Sequence, residues 1–444
     1  MKNIRYIVLK NLLNLDDNKS YSNIVLNNAI KKENLEKRDA SFCTAIFYGV
    51  LEKKLFLDYI IEKYSKTPLK KISKPTRYIL YIGLYQILFM DKVPNNAAVN
   101  ESVNLCKKIK EFSSSGFVNG ILRFFLRNNC ETYIKDLKND YVSYLSIKYS
   151  LYKWIVELFL EDYKNLDIEE LLKSFEGRPP INIRLNNLKG DRSFLIDSLL
   201  KEGLSVKEDE SLRNCLEING TNSIESLKSY KDGLFHVQDK ASQICSELLE
   251  ARHHDIIVDV CSAPGGKSFT ISETMNNEGT VYSYDLYESK VNLIKNGAKR
   301  LGINIIEANV RNAKDDPVMS SFADRVICDV PCSGLGVIRR KPEIRYKDKK
   351  SIENLPKIQY DILCKSEKML KSGGILIYST CTLNPKENNE IADRFLKEHN
   401  NYEPVDVNFK NIKSIHNEAS NQLTLFPNIH STDGFFIAKF KKTR

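Results

Sequence analysis

Asp255-Ile256-Ile257-Val258-Asp259-Val260-Cys261-Ser262-Ala263-Pro264-Gly265-Gly266-Lys267-Ser268 decides the fold of this chain. The run to Val260 is apolar and has the length of a short buried strand. A proline and two glycines then join that strand to a helix. Glycines at such a junction let the backbone come close to a ligand. The loop has neither the GxGxxG pattern of dinucleotide enzymes nor the GxxxxGK[ST] spacing of a nucleotide phosphate loop, so hydride transfer and ATP hydrolysis both lose ground. Nineteen residues after Gly266, the next strand ends in Asp285, where an acid can take the two ribose hydroxyls of an adenosyl ligand.

Downstream, Thr280–Tyr284, Ile303–Glu307, Phe322–Cys328, Gly374–Tyr378 and Phe435–Phe440 read as further strands, separated by helix-length segments. Strands alternating with helices predict an α/β domain with a mostly parallel, doubly wound sheet, whose ligands bind at the carboxyl ends of the strands. Two of those ends carry a cysteine: Asp329-Val330-Pro331-Cys332-Ser333-Gly334-Leu335-Gly336 and Ser379-Thr380-Cys381-Thr382. The basic run Ile338–Tyr346, with Arg339, Arg340, Lys341 and Arg345, follows the first of them and would suit an RNA backbone.

Upstream, residues 1–130 read as an all-α bundle, with Ile4, Val8, Leu12 and Leu15 at helical spacing and a strongly apolar Thr76–Met90. Residues 131–235 read as a small α+β connector, broken at Gly177-Arg178-Pro179-Pro180. Its strand Ile181–Asn186 alternates, which predicts an exposed Arg184. The lone Trp154 is read as a packing residue. Residues 236–444 complete the sheet domain.

The chain has 444 residues, is 42% hydrophobic and 28% charged, and carries a net charge of +10. Residues 1–150 hold 25 Lys+Arg against 14 Asp+Glu, or +11, so the remainder is nearly neutral. A basic first third points to an anionic partner, nucleic acid first in line. The ten cysteines are scattered singly with no CxxC pair, which is unlike a disulfide framework or a zinc site and favours the reducing cytoplasm. Cys43, Cys106, Cys130, Cys245 and Cys364 sit in apolar periodic contexts as small core residues. No apolar run approaches the roughly 20 residues of a membrane span, and the amino terminus reads as a helix, not a signal peptide.

Two resemblances attach to these residues. Val93-Pro94-Asn95-Asn96-Ala97-Ala98-Val99-Asn100-Glu101-Ser102-Val103, with Gly116-Phe117-Val118-Asn119-Gly120-Ile121-Leu122-Arg123, resembles the NusB-type RNA-binding domain, whose pattern includes a Phe-Val-Asn-Gly turn. Cys261–Lys267, Asp329–Gly334 and Ser379–Thr382 are similar to the cofactor loop and the two cysteine motifs of the S-adenosyl-L-methionine-dependent RNA cytosine-C5 methyltransferases. Together they resemble the RsmB/Fmu type, which acts on cytosine 967 of 16S rRNA.

The resemblance implies a Rossmann-like methyltransferase domain behind a NusB-like bundle. It implies S-adenosyl-L-methionine held by Cys261, Ser262, Ala263, Pro264, Gly265, Gly266, Lys267, Asp285 and Asp329. Asn312 stands where the family offers an aspartate to the adenine amino group, an uncharged acceptor in place of a charged one. Cys381 would attack the cytosine, Cys332 would aid product release and Asp329 would hold the target base. A monomer acting on 16S rRNA, without metal or membrane, is expected. The alternatives are another rRNA or tRNA target, or a non-catalytic NusB-like assembly factor.

Overall fold

The structure is a computed structural model that describes residues 3–18, 22–128, 134, 137, 139–221, 223–409, 412 and 419–443; Cys130 lies outside them. The chain forms two compact units. One is Met1–Glu176 with Ile338–Lys347, the other Gly177–Val337 with Asp348–Arg444.

The first unit is helical: α1 (Ile4–Asn18), α2 (Ser22–Lys32), α3 (Lys37–Tyr64), α4 (Lys74–Phe89), α5 (Asn95–Lys108), α6 (Ser114–Arg127), α7 (Tyr141–Lys148), α8 (Lys153–Asp162) and α9 (Ile168–Ser174). Ser73 starts α4 by accepting a hydrogen bond from Thr76 N–H, with Pro75 in the first turn where its missing N–H costs nothing. Leu12, Phe47, Val50, Ile79, Ile82, Val99, Val118 and Leu122 share one buried core. Phe117-Val118-Asn119-Gly120 lies inside α6, not in a turn. Helices α7 to α9, read from the sequence with the connector, belong to this compact unit.

The excursion Ile338–Lys347 corrects the reading of the basic run. Arg345 is fully buried and donates to the carbonyls of Tyr149 (2.7 Å) and Phe175 (2.6 Å). Tyr346 Oη reaches Leu51 O (2.7 Å), Ser22 Oγ reaches Glu343 (2.8 Å), and Trp154 Nε1 donates to Lys347 O (3.0 Å). Arg345 therefore satisfies helix-end carbonyls and is closed to phosphate.

The second unit carries two sheets. In the smaller one, β1 (Ile181–Leu185), β2 (Ser205–Glu208), β3 (Cys215–Asn219) and β4 (Phe235–Val237) run β2-β3-β1-β4, with α10 (Arg192–Lys201) and the one-turn α11 (Lys228–Lys231). Arg184 on β1 is buried, contrary to expectation. It pairs with Glu273 (3.3 Å) and Glu247 (3.2 Å), because the second face of β1 is covered by protein and not by water. Breaking such a pair strands a buried carboxylate. Arg184→Met should lose about 3 kcal/mol of stability while leaving RNA affinity of the folded protein unchanged. Denaturation midpoints with a parallel binding assay read both.

The larger sheet holds β5 (Ile256–Asp259), β6 (Thr280–Asp285), β7 (Ile306–Val310), β8 (Ala323–Asp329), β9 (Leu370–Thr380), β10 (Tyr402–Pro404), β11 (Gln422–Leu425) and β12 (Phe435–Lys442). The order is β10-β12-β9-β8-β5-β6-β7, with β11 also on β12. Strands β7, β6, β5, β8 and β9 are mutually parallel; β12 runs antiparallel to β9 and carries β10 and β11, also antiparallel, beyond it. Helices α12 (Lys240–Leu248), α13 (Gly266–Thr274), α14 (Glu288–Leu301), α15 (Leu355–Ser366), α16 (Asn389–Glu398) and the one-turn α17 (Pro427–His430) complete the domain. It is a mostly parallel Rossmann-like sheet with flanking helices. Strand β7 is an edge strand three residues later than the apolar run suggested, and its register pairs Val310 with Asp285.

Candidate active site

The glycine loop leaves β5 and turns into α13 at Gly265, whose φ of 110° is left-handed and disfavours a side chain. Ser262 N and Oγ both donate to Tyr284 O (2.8 and 3.0 Å), which ties the loop to the end of β6. Asp285 closes that strand, buried, and its carboxylate meets Ala263 N and Tyr287 N at 3.4 Å and Lys290 Nζ at 3.5 Å. These are long contacts, so both oxygens keep strong acceptor capacity for a pair of hydroxyls. Beneath the loop, Asp259 accepts from Ser268 Oγ (2.8 Å), and burial pushes its carboxyl up to about 7.

Asn312 follows β7 in a tight turn, its Oδ1 accepting Lys314 N (3.2 Å) and its Nδ2 donating to Asp315 (3.1 Å). Arg311 N continues the strand pairing by donating to Asp285 O (3.0 Å), which brings the two positions to one sheet edge.

Strands β8 and β9 pair Asp329 with Ser379. Asp329 accepts Ser379 Oγ (3.0 Å) on one oxygen and Lys267 Nζ (2.6 Å) on the other. Lys267 comes from the glycine loop, so this ion pair joins the two motifs. Burial opposes the Lys267 charge, but Asp329 outweighs it and holds the ammonium above the ordinary lysine range. The Phe435 ring adds a cation–π contact at 5.1 Å.

Past the paired strands, Cys332 Sγ and Cys381 Sγ meet at 3.2 Å. The Cys332 thiol is pushed well up, first by its hydrogen bond with Cys381, then by burial and the nearby Glu387 and Asp329 carboxylates. Gly336 N donates to Cys381 O (3.0 Å), and Gly434 N to Gly336 O (2.8 Å). A Cβ at Gly336 would sit 1.9 Å from Gly434 O, so no side chain fits there.

One group escaped the sequence reading. Glu387, fully buried, accepts from Ser333 N (2.8 Å), Gln359 Nε2 (2.8 Å) and Asn384 Nδ2 (2.9 Å). Gln359 also donates to Pro331 O (3.0 Å), and Asn388 Nδ2 to Thr382 O (3.0 Å). This network clamps the two cysteine loops together. Its only sequence signal is the polar run Asn384-Pro385-Lys386-Glu387-Asn388, which reads as an ordinary turn.

The fold and the paired motifs at one sheet edge define the class, a Rossmann-like S-adenosyl-L-methionine-dependent methyltransferase. Three family models match: 16S rRNA methyltransferase RsmB/F over residues 246–441, the NusB family over 2–127, and the Methyltr_RsmF/B-like ferredoxin-like domain over 152–225. The chain is 33% identical to the probable ribosomal RNA small subunit methyltransferase B of Bacillus subtilis (strain 168), covering 99% of this chain and 98% of that one. Its identity to the probable enzyme of the same description from Synechocystis sp. (strain ATCC 27184 / PCC 6803 / Kazusa) is also 33%, covering 99% of each. The crystal structure of PH0851 superposes with a TM-score of 0.85 at 24% identity, over 100% of this chain and 99% of that one, and so shares the fold. The chain belongs to the RsmB/F family of 16S rRNA methyltransferases, and its cofactor is S-adenosyl-L-methionine. Among the described residues no helix is long and apolar enough to cross a membrane, and no cluster of His, Cys, Asp or Glu is placed to hold a metal.

Proposed function

We propose that this chain methylates carbon 5 of a cytosine in 16S rRNA, at the position the family resemblance implies, cytosine 967. The carrying observation is the pair of sulfurs at 3.2 Å, borne by adjacent parallel strands beside the Lys267–Asp329 pair. In this reading residues 1–130 serve RNA binding, 131–235 connect and 236–444 catalyse, in a cytoplasmic monomer.

Carbon 5 of cytosine is a poor nucleophile. The Cys381 thiolate adds to carbon 6, and the electrons of the ring double bond move to carbon 5, which can then accept a methyl group. S-adenosyl-L-methionine supplies that methyl. A water molecule then takes the carbon-5 proton, the electrons of that C–H bond re-form the ring double bond, and the sulfur–carbon-6 bond breaks with its pair returning to Cys381 as thiolate. Asp329, held by Lys267 and Ser379, presents its carboxylate to the exocyclic amine of the cytosine. Cys332, at hydrogen-bond distance from Cys381, takes the product-release role that the family resemblance implies, its S–H stabilising the departing Cys381 sulfur. The target base must leave its stack to reach the thiol, which favours a loop or distorted strand.

Incubating unmethylated 16S rRNA with labelled S-adenosyl-L-methionine, then digesting to nucleosides, should give 5-methylcytidine from a single site. Label in any other nucleoside would sink the proposal. Asn312 is assigned to the adenine amino group through the second lone pair of its carbonyl. Asn312→Ala should weaken cofactor binding about 3–10-fold, one neutral hydrogen bond. Unchanged affinity by calorimetry would remove Asn312 from the cofactor site.

A further inference from the structure

The helical unit has a polar cleft of about 530 Å³ between α5 and α6. Asn100, Asn104 and Lys107 line it from α5, and Gly116 and Asn119 from α6. The spacing of the α5 residues puts them on one face of the helix. Asn119 Oδ1 accepts Arg123 Nε (2.8 Å), which brings a second cation beside the cleft. Phe112, 65% exposed, lies in the turn that leads into α6, its carbonyl accepting Ser115 N (3.2 Å).

Gly116, which lines the cleft, and Gly120, one turn beyond it on α6, are unusual here. Both are helical, both are exposed, and they stand four apart on one face. A Cβ at either would meet nothing within 4 Å, and neither has a positive φ. Packing therefore does not require glycine at either position, and at Gly120 the exposed helix interior disfavours it against alanine. Elsewhere in the unit the glycines have a packing reason: a Cβ at Gly49 would run into the Tyr85 ring, and one at Gly83 into Leu122. Bare backbone at two successive turns keeps the α6 face low and open.

We propose that this cleft binds an unstacked nucleotide of the RNA substrate. Carboxamides supply both donors and acceptors for a base edge, as readers of single-stranded RNA require. Lys107 supplies a phosphate contact, the exposed Phe112 a stacking surface, and the two glycines the room for a base to lie against the helix. The inference rests on the RNA-substrate reading above and assigns one of its contact sites.

The test is a cleft-filling variant, Gly116→Leu with Gly120→Leu, beside Asn100→Ala with Asn104→Ala. The full-length protein is titrated with a fluorescent small-subunit rRNA fragment at fixed salt, and methyl transfer is measured in parallel. The leucine variant should melt at the same or a higher temperature, yet bind the RNA about tenfold more weakly. Its KM for RNA should rise by a similar factor with kcat kept. The asparagine variant should weaken binding in the same direction. RNA affinity unchanged in both variants would overturn the proposal, even if methyl transfer is normal. Weakened RNA binding by the variants, in a wild-type protein that transfers no methyl group, would leave the cleft standing and remove the enzymatic reading instead.

Discussion

Cys381→Ala should abolish methyl transfer, and Cys332→Ala should leave a covalent protein–RNA adduct that survives denaturation. Loss of a covalent nucleophile costs on the order of 10⁴-fold or more, because the alternative is direct attack by an unactivated carbon. Loss of the releasing group allows attack and methylation but strands the product on Cys381. The 3.2 Å separation places either sulfur within reach of the same bond, so geometry alone permits the opposite roles. The shared hydrogen bond makes the two thiols one coupled pair, so the attack is given to Cys381 by the family resemblance, in which the later cysteine is the nucleophile. Gel mobility of labelled rRNA on each single variant decides it. An adduct on Cys381→Ala, with none on Cys332→Ala, would reverse the assignment.

Lys267→Met should lower the single-turnover rate on the order of 10³-fold, the scale of removing one preorganised electrostatic contact in a closed site. Lys267 fixes one oxygen of Asp329 at 2.6 Å, and the methionine variant leaves that carboxylate facing Cys332 without a counter-charge. A stability loss of about 2–3 kcal/mol should accompany it, below the range for fully buried pairs because 29% of the Asp329 side chain is exposed. Lys267→Arg should recover part of the rate. A methionine variant with wild-type rate and midpoint would show that Asp329 needs no anchor.

The strand, the glycine loop, Asp285 and both cysteines were legible because each departs from what a solvated loop or a plain strand requires. A thiol just past a strand end, behind Pro331 in one case and Thr380 in the other, is a local pattern. Glu387 was not legible, since a glutamate is almost never fully buried unless it is paired, and its partners Ser333 and Gln359 lie far from it in sequence. Arg184 and Arg345 misled for a related reason. Period-two alternation separates the faces of a strand but does not tell water from a polar layer of protein, and β1 is covered on both faces. A run of cations reads as exposed until the carbonyls of Tyr149 and Phe175 come into place around one of them. Strand β7 slipped because an edge strand carries little apolar signal toward its end, where Asn309 and Val310 are exposed.

The return of Ile338–Lys347 to the helical unit has a consequence for synthesis. Arg345 and Tyr346 close hydrogen bonds on Tyr149, Phe175 and Leu51, residues made long before them. At about 5–20 residues per second, the 171 residues from Gly177 to Lys347 take roughly 10–30 s to emerge. For that interval the amino-terminal helices stand without their last segment. The chain can finish this half only after β8 and the first cysteine loop have been translated.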